Sequence, residues 1–329
     1  MGFLLITNDI DPYYQDAVNV IAQCYGSRYR FRYEVNPTAP QQDLVRAPDA
    51  HRLRGSRALV VFRQWATGVL VPLRQVQIVD ALVSSYFVVA EFVVQDFCDP
   101  EARPNWSLMS ALVEGAGSKN PPGAGLRPLV FPVSDSDLSK IQGGLLSSDR
   151  GVEDLDRWRS TIESIAQFDH IDKVCFLYLH TIRGESGAAI RKQGGGQGLA
   201  LDAGETYDAE IAQYMLPHPG LAESQADKLQ LPLTLMVTAD PSHIVPVRAT
   251  ANLVSRYDNV RFSVRPQESG SQRRTILEFG AANATSPLFV PTIATEIYVR
   301  FALWRWVSLL SGLGLYLLAS LYEIGRAHV

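Results

Sequence analysis

The feature that most constrains this chain lies near its end. From Phe301 to Tyr322 the sequence reads FALWRWVSLLSGLGLYLLASLY, in which Arg305 is the only charged residue. At 1.5 Å rise per residue, a run of this length matches a hydrocarbon core of about 30 Å. It is apolar on every side, whereas a helix on a protein surface keeps one polar face. The expectation is a transmembrane helix over 300–322. An Arg at the middle of a span costs about 2.5–3.5 kcal/mol, but Arg305 sits one turn from the start, within reach of lipid headgroups. Trp304 and Trp306 at one end and Tyr322 at the other match the aromatic belts of membrane interfaces. Gly312 follows Ser308 at the small-x-x-x-small spacing that lets two helices approach, so a homo-oligomer through the span is one expected partner and membrane lipid another.

Arg300 and Arg305 flank the N-terminal end of this run, which the positive-inside rule places on the cytosolic side. The opening MGFLLITNDIDPYY has no basic segment ahead of its apolar residues and does not satisfy a secretory signal pattern. The expected location is therefore a membrane, with the body in the cytosol. The last seven residues, EIGRAHV, resemble a translated sequencing adapter, so 323–329 read as a non-native tail and the reading frame is expected to continue.

The rest of the chain has globular composition: 329 residues, 47% hydrophobic and 19% charged, enough for two domains with cores of their own. The net charge of −4 supplies no overall field for nucleic acid, which is not an expected partner. Cys24, Cys98 and Cys175 are far apart and form no C-x-x-C pair, so neither a disulfide scaffold nor a zinc knuckle is indicated.

Periodicity sets the fold class as mainly β with some α: an α+β N-terminal domain, a β-sandwich second domain and the terminal helix. Asp11-Pro12 predicts a helix start, and Gly26 its stop. Arg28 to Val35 then alternates strictly, with Arg28, Arg30 and Arg32 on one face and Tyr29, Phe31, Tyr33 and Val35 on the other. Strands are predicted over 58–63, 69–79 and 86–94, giving a small α+β or barrel-like domain over 1–99. Residues 100–150, rich in Gly, Pro and Ser, read as a linker carrying one short strand at 129–133. The second domain, 151–299, opens with a helix whose Leu155, Trp158, Ile162 and Ile165 form one stripe. Seven strand segments follow, separated by Gly, Pro, Asn or Asp, as in a two-sheet sandwich.

No short motif carries chemistry. The glycine runs at 115–125 and 194–198 lack the Gly-Lys-Ser/Thr step and the strand-to-helix context of phosphate loops. Cofactors and metals are not expected, because the histidines form no ligand-spaced set. Asp169, His170 and His180 are the nearest approach to a catalytic cluster, but turn chemistry between a helix and a strand accounts for the first two. Cys175 and His180 lie five residues apart on one strand and so face opposite ways. GESG at 184–187 lacks the spacing of a nucleophile elbow.

Anion binding is the remaining chemistry. Arg28, Arg30 and Arg32 present one charged face, and Arg183, Arg191 and Lys192 flank a glycine-rich loop whose backbone amides suit an anion. Edge protection of a strand is the competing explanation for the first set. The functional expectation is thus a membrane-tethered cytosolic binding or signalling module without an evident catalytic site, its partner a protein or an anionic ligand. Two alternatives differ in class: the sensor half of a truncated membrane effector from a prokaryotic defence or stress system, and a membrane-bound enzyme with a diffuse site.

Overall fold

A computed structural model describes residues 2–8, 13–34, 50–64, 67–84, 87–98, 105–115, 129–142, 151–166, 175–187, 199–215, 233–253, 259–267, 273–282, 292–300, 307, 309–318 and 320. The first half runs β1 (Gly2–Asn8), α1 (Tyr13–Ala22), β2 (Arg28–Glu34), α2 (Ala50–Leu53), β3 (Arg57–Arg63), β4 (Leu70–Val83) and β5 (Phe87–Phe97). Next come α3 (Ser107–Gly115), β6 (Leu129–Val133), α4 (Asp135–Gln142) and α5 (Gly151–Ala166). The remainder is β7 (Cys175–Gly184), β8 (Leu199–Asp202), β9 (Tyr207–Met215), β10 (Leu233–Ala239) and β11 (Ile244–Arg248). It closes with β12 (Thr250–Leu253), β13 (Val260–Pro266), β14 (Arg273–Ala281) and β15 (Ile293–Arg300).

Mainly β with some α is what the chain forms. One sheet of eleven strands has the order β12-β10-β14-β15-β2-β5-β4-β3-β1-β6, with β8 also on β15; a second has the order β11-β13-β9-β7. Strands from both sides of residue 99 therefore share the long sheet, joined where Arg28 of β2 pairs with Glu296 of β15.

In the first half, alternate residues of β1 serve two layers. Phe3 and Leu5 enter a core with Val18 and Ile21 of α1 and with Trp158, Ile162 and Ile165 of α5. Leu4 and Ile6 enter another with Met109 and Val113 of α3 and with Leu138 and Ile141 of α4. Because successive strand residues face opposite ways, the sheet is covered by helices on both faces. That explains why β1 escapes period-2 reading: it pairs parallel with β3, is buried along its whole length, and shows only a short apolar run. The helices α3 and α4, within the stretch read as a linker, are nine and eight residues long and bury too few apolar positions to display a periodicity. Ser134 at the start of α4 accepts the Asp137 amide at 3.1 Å while its hydroxyl donates to the Asp137 carboxylate at 2.7 Å, a local cap that holds that carboxyl below its usual range.

In the second half, two sheets face each other across an apolar layer, as in a sandwich. Leu177, Leu179, Ile211, Phe262 and Val264 of one sheet meet Leu235, Val237, Leu277, Phe279 and Ile297 of the other, with the Phe262 and Phe279 rings 5.6 Å apart. β11 and β12 follow one another directly yet lie one in each sheet. β7 couples the cores: Cys175, Leu177 and Leu179 point into the sandwich, Phe176 and Tyr178 into the layer beneath α5.

The terminal apolar run is described at 307, 309–318 and 320, all helical. Among the described residues no helix is long and apolar enough to cross a membrane, so the expected span over 300–322 is not found as such. The described part is nonetheless exposed all round: Leu309, Leu310, Leu315 and Leu318 are each 64–68% exposed, and a methyl group built on Gly312 or Gly314 would touch nothing.

Candidate ligand-binding cleft

The cleft forms where the long sheet forks. β15 keeps β14 along one edge through seven register pairs. Its other edge is shared: β2 pairs with it at Glu296 alone, and β8 takes over in parallel from Ile297 to Arg300. From Arg28 to Arg30 β2 thus leaves β15, while its other edge stays paired with β5 from Val93 to Phe87. Part of the backbone exposed by the fork is satisfied by the residue that follows α1. Gln23, fully buried, donates from Nε2 to the Ala294 carbonyl at 2.9 Å and accepts the Thr295 hydroxyl at 2.7 Å. The splay is thereby a paired feature of the sheet rather than a frayed end.

The opening is about 470 Å³, within the usual range of small-molecule sites, and is lined by Arg28, Tyr29, Arg30, Arg274, Thr275, Ile276, Ala294 and Glu296. Glu91 of β5 organises its charges. Its side chain is 9% exposed and contacts three guanidinium groups: Arg28 through Nε, Arg30 through Nη2 at 3.3 Å and Arg274 through Nη2 at 3.1 Å. Arg274 also places Nε 3.1 Å from Glu296. Burial works against the charge of Arg274, yet Glu296 and then Glu91 outweigh it and raise its pKa, so it stays a cation.

The three arginines are not equivalent. Arg28 has 13% side-chain exposure, its Nε against Glu91 and its Nη1 donating to the Tyr298 hydroxyl at 2.8 Å. Arg30 and Arg274 are 59% and 42% exposed and line the opening. The Arg274 guanidinium lies 5.1 Å from the Tyr298 ring centroid, which limits its swing. Tyr29 lines the floor but is committed elsewhere, donating to Asp16 at 2.9 Å.

Of the residues expected to bind an anion, the structure brings Arg28 and Arg30 into the cleft. Arg32 continues the same face but lies over the Phe87 ring at 4.7 Å and does not line the opening. Arg183 is exposed on β7, in the other sheet; Arg191 and Lys192 lie outside the described residues. Arg274, Glu91 and Glu296 escaped sequence reading, because each sits on a different strand. The only trace was the alternation of charge with apolar residues in RTILEF and TEIYVR, which every half-buried strand shares.

The remaining candidates assemble no catalytic centre among the described residues. His180 is partly buried on β7, its ring 5.9 Å from that of Tyr178, while Asp169 and His170 lie outside the described residues. No group of three or more His, Cys, Asp or Glu side chains among the described residues is placed to hold a metal. Asp240, Ser242 and His243 approach one another, but the Ser242 hydroxyl and the Asp240 carboxylate both meet the same imidazole nitrogen, Nδ1, at 2.9 and 3.0 Å. A nucleophile and an orienting carboxylate must sit on opposite ring nitrogens, so this is turn chemistry. Burial pushes the Cys24 and Cys175 thiols up to about 11 and about 12, leaving them protonated and poor nucleophiles at neutral pH. Of the membrane-anchor residues, Gly312 lies in the exposed helix, and Trp304, Arg305, Trp306 and Tyr322 lie outside the described residues.

No protein-family model matches the chain, and no curated protein matches it.

Proposed function

We propose that this protein is a membrane-tethered module that binds an anionic ligand in the cleft at the fork of its long sheet. The observation that carries this reading is the pair of partly exposed guanidinium groups, Arg30 and Arg274, that line a 470 Å³ opening and are held by one buried carboxylate, Glu91. Arginines that serve only to protect an edge strand have no need of a buried counter-ion that fixes their direction. Here fixing the forks lowers the entropy lost on binding. The tether is the apolar run that ends the chain. Eight or more exposed aliphatic and aromatic side chains around one helix are costly in water, and a bilayer covers all sides of a helix at once. With the body cytosolic, the cleft faces ligands or lipid headgroups on that side.

The test uses the full chain in detergent, titrated at low salt with a set of small anions of different charge. At least one is expected to bind, with an affinity that falls as salt rises. R30A and R274A are each expected to weaken it by about tenfold or more, the loss of a charge-assisted hydrogen bond of about 1.5–3 kcal/mol, while R32A leaves it unchanged. Alkaline carbonate extraction reads the tether: the chain is expected to remain with the membrane. Absence of binding by every anion at low salt defeats the ligand reading, and release by carbonate defeats the tether.

A sensor reading has one observation in its favour. β15 carries Ala294 and Glu296 in the cleft and ends at Arg300, seven residues before the first described position of the exposed helix. A ligand that moves β15 acts directly on the start of the tether. A fluorophore attached at L310C is expected to change its emission when the anion binds, and an unchanged emission at saturation removes the sensor reading.

A further inference from the structure

We infer that the anion taken by this cleft is a phosphodiester, a singly charged phosphate with two organic substituents; the inference rests on the ligand-binding reading above. Three features of the site select this class. The first is charge balance. Arg28, Arg30 and Arg274 supply three positive charges, and the carboxylates in contact with them, Glu91 and Glu296, supply two negative ones. One positive charge is left, which a monoanion neutralises. A phosphomonoester carries about −1.5 to −2 at pH 7 and would bring its excess charge against Glu91 and Glu296.

The second is the placement of donors. Arg30 and Arg274 line the opening from different strands, β2 and β14, so an anion that meets both must offer each an acceptor of its own. The two non-bridging oxygens of a phosphodiester supply one acceptor to each while its two organic substituents extend away from the arginines. Arg28, the least exposed of the three, is drawn back by Glu91 at Nε and by the Tyr298 hydroxyl at Nη1.

The third is the wall beside the donors. Ile276, 54% exposed, and Ala294 present apolar surface next to Arg274 and Glu296. A bare ion gains nothing from such a wall, whereas an organic substituent on the phosphate is sheltered by it. A phosphodiester reaches the cytosolic face of a membrane in two forms, the internucleotide linkage of a soluble nucleotide and the headgroup linkage of a phospholipid. The cleft chemistry is the same for both.

The experiment compares uridylyl-(3′→5′)-uridine, uridine 5′-monophosphate and acetate as probes of the full chain in neutral detergent at pH 7.5. The diester is expected to bind about tenfold or more tightly than the monoester, and R30A and R274A are each expected to remove that preference. E296Q supplies the readout that a merely structural arginine cluster would not give. It leaves a second positive charge uncompensated, so affinity for the monoester is expected to rise by about tenfold relative to the diester. Circular dichroism of E296Q checks that it folds; if it does not, E296D, which keeps the charge, is expected to keep the wild-type preference, and a reversed preference there overturns the inference. A wild-type preference for the monoester or acetate, or an E296Q protein that folds with its preference unchanged, overturns the inference while leaving the ligand reading in place. Failure of all three probes defeats both. A second arm separates the sources: phosphatidylglycerol nanodiscs that compete with the dinucleoside probe, where phosphatidylcholine nanodiscs do not, assign the site to lipid, and unaltered probe binding assigns it to a soluble diester.

Discussion

Glu91 and Arg74 show two opposite treatments of buried charge within the same sheet. Glu91 is nearly enclosed and is satisfied by three cations, so a single buried carboxylate aligns groups from β2 and β14. Arg74 of β4 is 1% exposed and has no carboxylate partner among the described residues. It donates through Nη2 to the Gln95 carbonyl and lies 3.7 Å from the Phe97 ring centroid, while Nε and Nη1 find no acceptor there. A ring face offsets only part of the desolvation of a guanidinium, and unmatched buried donors cost about 1–3 kcal/mol. R74M, which keeps the length and the contact with Phe97, is therefore expected to stabilise the fold by about 1–3 kcal/mol in urea denaturation. A loss of stability would show that Arg74 has a counter-charge. The sequence named Arg28 and Arg30 as candidates because alternation put them on one face. It offered no means of telling them from Arg32, since the difference lies in what stands opposite: Glu91 and β15 for the first two, Phe87 for the third.

At the scale of elements, α5 shows how a readable stripe acquires its role from packing. Leu155, Trp158, Ile162 and Ile165 mark the helix in the sequence, and three of the four are fully buried. The stripe leaves open what it covers. Trp158 stacks on Tyr178 of β7 at 5.2 Å and meets Tyr214 of β9 edge-on at 6.2 Å, while Ile162 and Ile165 share the core of the first half of the sheet. The helix thus clamps β7 and β9 against β4 and β5. W158A is expected to cost about 3–5 kcal/mol, read as a lower denaturant midpoint. Because the strands that α5 covers, β7 and β9, also build the sandwich core, a single cooperative transition is expected for wild type, and a split transition in W158A would mark the clamp as broken. Strands with one wet face, such as β2 and β13, were legible from their alternation. β1 and β8 were not: the first is buried on both faces, and the second has four residues.

For the whole molecule, the buried thiols set a limit at high pH. Unfolded, Cys24 and Cys175 ionise near 9.0; folded, burial holds them protonated to about 11 and about 12. Below pH 9 both states are protonated and the thiols contribute no pH dependence. Above it the unfolded chain releases protons first, so stability falls as pH rises toward 11 and 12, by up to about 1.4 kcal/mol per pH unit for each thiol. Denaturant midpoints between pH 8 and 10.5 are expected to show this decline, and a C24A, C175A double variant to show a shallower one. An equal slope in the double variant would assign the decline to other groups, among them Tyr207, whose phenol burial also raises. By itself the sequence determined what depends on neighbours along the chain: the alternating strands, the α5 stripe and an apolar terminal run that water does not favour. Only the tertiary structure decided which strands meet. Arg28 and Tyr298 are 270 residues apart, and nothing periodic in either segment names the other. The period of a strand fixes which side chains share a face, whereas partner, register and the fork between β2 and β15 come from long-range packing, and the ligand cleft exists only there.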